Sequence, residues 1–200
     1  MDVRNVTEAL RKNGYEVSYF DRGEDAAVYL DESIDGKTVG FGDSCTLLAL
    51  GIYERLNRHN EVYSPMHPAG GQSFFDAAAL CLSTRVFLTS VNAVAETGEL
   101  VNIDGTGNRV AGSLFGHEKV YFVVGRNKIE PTLEKAIWRA RNVAAPQNAA
   151  RHGFKTPCAA GGECRDCASP QRICNAMIIH YKKMRHIAME VVLIGESLGL

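Results

Sequence analysis

The sequence predicts an α/β fold, with a mostly parallel sheet covered by helices on both faces. Three observations carry this. Short runs rich in Val, Phe and Tyr, such as Val86–Thr89 and residues 120–124, read as strands buried on both faces. Stretches with apolar residues at helical spacing alternate with such runs as far as Ile129. Gly, Asn and Asp stand at most of the junctions, where turns need them.

The elements follow in order. Residues 2–13 have Val3, Val6, Ala9 and Leu10 at helical spacing, and Asn13-Gly14 ends that helix. Residues 15–20 alternate as a strand does, and residues 24–32 return to helical spacing. After the Asp35-Gly36 turn, Thr38–Phe41 is a second short strand. The segment GFGDSCT (residues 40–46) then opens one helix over residues 47–56, with Asp43 or Ser44 as its N-cap. Glu61–Tyr63 reads as a strand and residues 64–71 as a loop whose His67 is solvated or packed. Residues 72–82 form a helix in which Cys81 is a small buried hydrophobe.

Between the strands Val86–Thr89 and 120–124 lie a polar, glycine-rich turn (residues 102–108) and a helix over 109–115. Pro131 is expected as the first residue of a helix running to about Val143, with Trp138 in the core and Arg139 and Arg141 at its dipole-favoured end. Residues 144–158 read as linker with at most one helical turn. Residues 176–181 and 187–194 read as strands joined by a basic, solvated turn, an antiparallel edge or hairpin.

The chain of 200 residues suits one domain, residues 1–200, with a cysteine-rich loop at 156–175. Apolar residues at 46% suffice for a sizeable core. A net charge of −1 leaves no electrostatic footprint for nucleic acid or an anionic membrane. No apolar run is long enough to span a bilayer, and the N-terminal stretch has no apolar leader segment, so a cytoplasmic protein is expected. Self-association into a homo-oligomer remains compatible with these features.

Four of the six cysteines, Cys158, Cys164, Cys167 and Cys174, crowd together in PCAAGGECRDCASPQRIC with spacing C-x5-C-x2-C-x6-C. A close C-x2-C pair lets two thiolates reach one centre, and Gly161, Gly162 and Pro170 supply turns that fold two more onto it. Without a secretion signal, such a cluster points to a metal site rather than a disulfide framework. Four thiolates suit tetrahedral zinc or an iron–sulfur cluster. A [4Fe–4S] cluster is the favoured occupant, with zinc as the alternative.

Three segments at strand ends concentrate candidate ligand-binding groups. In the first loop they are Gly40, Gly42, Ser44 and Thr46, where glycines allow close backbone approach and free N–H and hydroxyl groups can hold an anion. In the central turn they are Asn92, Asn102, Asp104, Gly105, Thr106 and Asn108, and after the next strand Asn127 and Lys128. Lys128 would pair with a carboxylate or phosphate. Each Asn or Asp alone is equally well explained by turn chemistry. Glu96 is the candidate for a catalytic acid or base.

The stretches GFGDSCTLLALGI, VFLTSVNAVAETGELVNIDGTGNRVAGSLFG, VYFVVGRNKI and CRDCASPQRICN resemble the LUD-domain family. These are lactate-utilisation proteins of the LutC/YkgG type, here similar to a branch with a C-terminal four-cysteine motif. The resemblance covers nearly the whole chain from about Val39. It implies the fold of glucosamine-phosphate deaminases, ribose-phosphate isomerases and CoA transferases, a Rossmann-like three-layer α/β/α sandwich. It also implies work alongside iron–sulfur oxidoreductase subunits that oxidise lactate to pyruvate. A non-catalytic, zinc-stabilised binding module is an alternative. The central turn is similar as well to methylthioribose-phosphate isomerases and initiation factor 2B subunits. Gly98, Asn102, Gly105 and Thr106 fit their pattern, but Asn92 stands where the acid would be. A sugar-phosphate isomerase or CoA-transferase-like enzyme is therefore a further alternative, and one short of its titrating group.

Overall fold

The computed structural model describes residues 3–200, so Asp2 of the first expected helix lies outside the described residues. The strands β1 (Glu16–Phe20), β2 (Thr38–Phe41), β3 (Glu61–Tyr63), β4 (Val86–Thr89), β7 (Lys119–Gly125) and β10 (Ala188–Ile194) form one sheet in the order β1-β10-β7-β4-β2-β3. Every pair in it is parallel. The four strands β5 (Ala93–Ala95), β6 (Leu100–Asp104), β8 (Ile129–Glu130) and β9 (Ala176–His180) form a second, mixed sheet in the order β8-β5-β6-β9.

The strands at the centre of the large sheet are the ones with unbroken apolar runs. In β7, Val120, Phe122 and Val124 face one core, while Tyr121 and Val123 face the other. On the second face, Leu30 of α2 (Gly23–Ser33), Leu47 of α3 (Cys45–Ala49) and Ile52 and Leu56 of α4 (Ile52–Leu56) close the core. On the first face lie Val6 and Leu10 of α1 (Val3–Lys12), Cys81 of α5 (Phe74–Cys81), and Val94 and Leu100 of the small sheet. The result is a Rossmann-like three-layer α/β/α sandwich, with the small sheet set into one helical layer. The outer side of that sheet packs Ala93, Ala95, Val101 and Ile103 against Ala136 of α7 (Leu133–Arg139), Ala140 of the π-helical stretch Ala140–Ala144, and Ala145 of α8 (Ala145–Arg151).

Several expectations change. The helix over 47–56 is two helices, because Gly51 takes a left-handed conformation (φ 59°) that favours glycine and breaks the hydrogen-bond ladder. The residues between β4 and the turn at 105–107 form the β5–β6 hairpin, in which Asn102 and Asp104, expected in the turn, lie inside β6. The last two strands are not a hairpin: β9 joins the small sheet beside β6, and β10 enters the middle of the large one between β1 and β7. α7 begins at Leu133 behind the Thr132 cap, so Pro131 precedes the helix rather than opening it, and the linker expected at 144–158 holds α8 and the start of α9 (Pro157–Gly161). Trp138 is 56% exposed, while Arg139 is buried. Alanine-to-alanine contact brings α7 close to the small sheet, so a bulky indole is turned outward.

Candidate functional site

All parallel strands of the large sheet point one way, so their C-terminal ends and following loops gather at one edge, where ligands bind in open α/β sheets. A cavity of about 480 Å³ lies there. Asp43, Ser44 and Cys45 follow β2, Ser90, Val91 and Asn92 follow β4, and Lys128 follows β7. Asp104, Gly105, Thr106, Asn108 and Arg109 come from the end of β6 and the start of α6 (Asn108–Leu114). The outer wall carries Arg151, His152 and Arg172. With Arg109, Arg151 and Arg172 the lining is rich in cationic side chains, and the volume lies in the range of small-molecule sites.

The structure sorts the expected residues. Ser44, Asn92, Asp104, Gly105, Thr106, Asn108 and Lys128 line the cavity. Gly40 and Gly42 face protein instead: a Cβ would meet the Cys81 carbonyl oxygen at 2.5 Å or the Phe87 ring at 2.9 Å. Thr46 is fully buried beneath the cavity, accepting a hydrogen bond from Lys128 Nζ at 2.8 Å. Asn102 is buried too and donates to the Ser90 carbonyl at 3.3 Å. Asn127 secures the C-terminal segment: its Oδ1 accepts from Leu198 N at 3.0 Å and its Nδ2 donates to the Gly199 carbonyl at 3.2 Å. Glu96 sits beyond β5 at the turn into β6 and is not among the residues lining the cavity. His67 stacks on Tyr53 with ring centroids 3.9 Å apart, a packing histidine.

The Asp104 carboxylate is committed to the backbone. Its two oxygens accept from Thr106 N, Arg109 N and Val110 N, each at 3.1 Å, which fixes the turn leading into α6. Asn92 Oδ1 likewise accepts from Ile103 N at 2.7 Å. Ser44 caps α3 by accepting from Leu47 N. These expected ligands therefore shape the wall of the cavity.

Sequence reasoning missed Ser90, Arg109, Arg139 and Arg172. Ser90 accepts from Lys128 Nζ at 3.0 Å, and its place directly after a buried strand was the signal available. Arg139 is 5% exposed and ties two loops together through the Asn127 and Asn92 carbonyls. Nothing in its local sequence separates it from a solvated helix-end arginine.

The four cysteines line a second cavity of about 270 Å³. Arg172 holds their loop from inside, donating to the carbonyls of Cys167 at 2.8 Å and Cys174 at 3.1 Å and to the Asp166 carboxylate at 2.9 Å. Arg141 Nη2 lies 3.7 Å from Cys164 Sγ, and the Thr156 hydroxyl lies 3.3 Å from Cys158 Sγ. Burial pushes the Cys174 thiol up; Arg172 opposes this, while Cys164 and Cys167 add to it. In this arrangement no three His, Cys, Asp or Glu side chains among the described residues are grouped closely enough to hold an ion. The donor set itself, four soft sulfurs flanked by two guanidinium groups, has the chemistry that zinc or an iron–sulfur cluster requires.

The two cavities are neighbours. Ile103, Ala145, Arg172 and Ile173 line both. Gly105 allows this contact, since a Cβ there would fall 2.8 Å from the Ile173 carbonyl oxygen. Asn175 completes it by donating from its backbone to the Asp104 carbonyl and from its side chain to the Gly105 carbonyl, both at 3.0 Å.

The LUD domain family model matches residues 3–194. The chain belongs to the LUD-domain family. A crystal structure of a DUF162 family protein from Deinococcus radiodurans superposes on this LUD domain with a TM-score of 0.56 at 12% identity, over 96% of this chain and 95% of that one. That likeness carries the fold. No curated protein matches the chain. Among the described residues of this LUD domain, no helix is long and apolar enough to cross a membrane.

Proposed function

We propose that this LUD domain is a cytoplasmic subunit of an iron–sulfur system that oxidises L-lactate, or a similar 2-hydroxy acid, to the 2-oxo acid. It binds the small carboxylate in the strand-end cavity and holds a [4Fe–4S] cluster on Cys158, Cys164, Cys167 and Cys174. The observation that carries this reading is the wall shared by the two cavities, which sets the strand-end cavity beside the four cysteines. Oxidation of the hydroxy acid releases two electrons and two protons, and these electrons need an acceptor close by. A [4Fe–4S] cluster supplies one-electron transfer when bound. Iron–sulfur oxidoreductase subunits are the partners that would pass the electrons on. Arg109 gives the carboxylate its counter-charge, Lys128 also lines the cavity, and Arg172 spans from that cavity to the cysteine loop. Arg141 and Arg172 would offset the negative charge of four thiolates.

Anaerobic purification followed by iron, sulfide and zinc content and a visible spectrum tests the centre. Iron and acid-labile sulfide with a broad visible absorbance, both lost in a Cys164→Ser/Cys167→Ser variant, are expected. A colourless protein holding one zinc would instead support a zinc-stabilised binding module. Calorimetry with lactate and pyruvate tests the cavity, and Arg109→Met should weaken both.

A further inference from the structure

Lys128 is buried beyond what a simple counter-charge requires. It is 3% exposed, and its Nζ donates to Thr46 Oγ1 at 2.8 Å and Ser90 Oγ at 3.0 Å. Among the described residues, no carboxylate forms an ion pair with it. The ionisable groups around it are Arg139 on α7 and Arg109 on α6, both like-charged, with Cys45 on α3 acting the other way. A permanent ammonium would be poorly placed here, because burial without a paired anion favours the neutral form. Burial above all, and then the two guanidinium groups, push its pKa down to about 7. A free amine at neutral pH is a nucleophile toward carbonyl carbon.

We propose that Lys128 forms a Schiff base with a 2-oxo acid bound in the strand-end cavity. The proposal rests on the carboxylate reading of that cavity and names its substrate class. The amine lone pair forms a C–N bond to the carbonyl carbon, and the carbonyl π pair moves to oxygen. One proton passes from nitrogen to that oxygen, giving the carbinolamine. The Thr46 and Ser90 hydroxyls, both bonded to Nζ and 3.3 Å apart, lie where they can relay it. A second proton, taken from solvent, lets the hydroxyl leave as water. Amine, carbonyl and one proton thus give a protonated imine and one water, with no oxidant or reductant consumed. The imine ties the 2-oxo acid to the protein, and a 2-hydroxy acid, lacking the carbonyl, is held by charge alone.

The test uses the full chain with pyruvate and cyanoborohydride, read by intact mass and peptide mapping. One adduct at Lys128 is expected, with trapping rising as the pH is taken through about 7. Surface lysines would respond only at much higher pH. The adduct should vanish in Lys128→Arg, which keeps the charge, and in Lys128→Met. Absence of an adduct, or one that persists in both variants, overturns the proposal. Lactate and pyruvate binding are measured by calorimetry on the same preparation. Binding without an adduct overturns the imine and leaves the carboxylate cavity standing, whereas neither binding nor adduct overturns both.

Discussion

Lys128 sets a stability cost that depends on pH. Its folded-state pKa, about 7, lies below the ordinary lysine value that the unfolded chain would show. Between those two values the unfolded state binds the extra proton, so stability rises with pH across that window and the cost is full below about pH 7. Lys128→Met removes the group. The variant should therefore melt higher than the parent at slightly acid pH, by a few kcal/mol of stability, with the difference shrinking as pH rises above neutrality. Thermal melts of both proteins across this range check it, and a difference independent of pH would show that the folded-state amine keeps the proton affinity of the unfolded chain. Burial of this kind is invisible in sequence. Lys128 was legible as a strand-end cation, but its hydroxyl partners come from Thr46 and Ser90, far away along the chain.

At the scale of elements, α6 is held against β4 by the absence of a side chain. A Cβ on Gly112 would lie 2.4 Å from the Phe87 ring, in a contact where Phe87 is itself 1% exposed. Neither partner can give way cheaply in a close-packed core. Gly112→Ala should destabilise the protein by about 1–3 kcal/mol, measured by urea unfolding. Because α6 starts beside Asp104 and Arg109, the variant should also weaken lactate binding. Elements whose apolar period is long enough to read, such as α1, β7 and β10, were found from sequence. The β5–β6 hairpin was not, because Asn102 and Asp104 fall inside β6 and read as turn residues. The split of α3 from α4 hinged on one glycine, which a periodicity of leucines conceals.

For the whole molecule, β10 and β7 form the spine. They pair with each other along seven residues, β1 and β4 flank them, and both faces are covered. Their amides should be the last to exchange with solvent, while those of residues 158–170, outside both sheets, should exchange fast in the metal-free protein. Hydrogen exchange followed by mass spectrometry checks this, and loading the cysteine loop with iron and sulfide or with zinc should slow that loop alone. The spine also holds a half-buried ion pair, buried Glu190 with partly exposed Lys119 at 2.7 Å, which Ser18 and Tyr29 complete by each donating to Glu190 at 2.7 Å. Such a pair is tolerable inside because each carboxylate oxygen has a partner.

By itself the sequence determined the class of the fold, most of the strands and helices, and the grouping of four cysteines, because these depend on near neighbours along the chain. Only the tertiary structure decided that β9 and β10 go to different sheets, that Asp104 serves the backbone, and that Arg139 lies inside while Trp138 lies outside. It also decided that the cysteine loop backs onto the strand-end cavity through Ile103, Ala145, Arg172 and Ile173. The physical reason is the same throughout. Strand partners, burial and shared walls are contacts between residues distant in sequence, and the free energy that selects them comes from packing the whole chain at once.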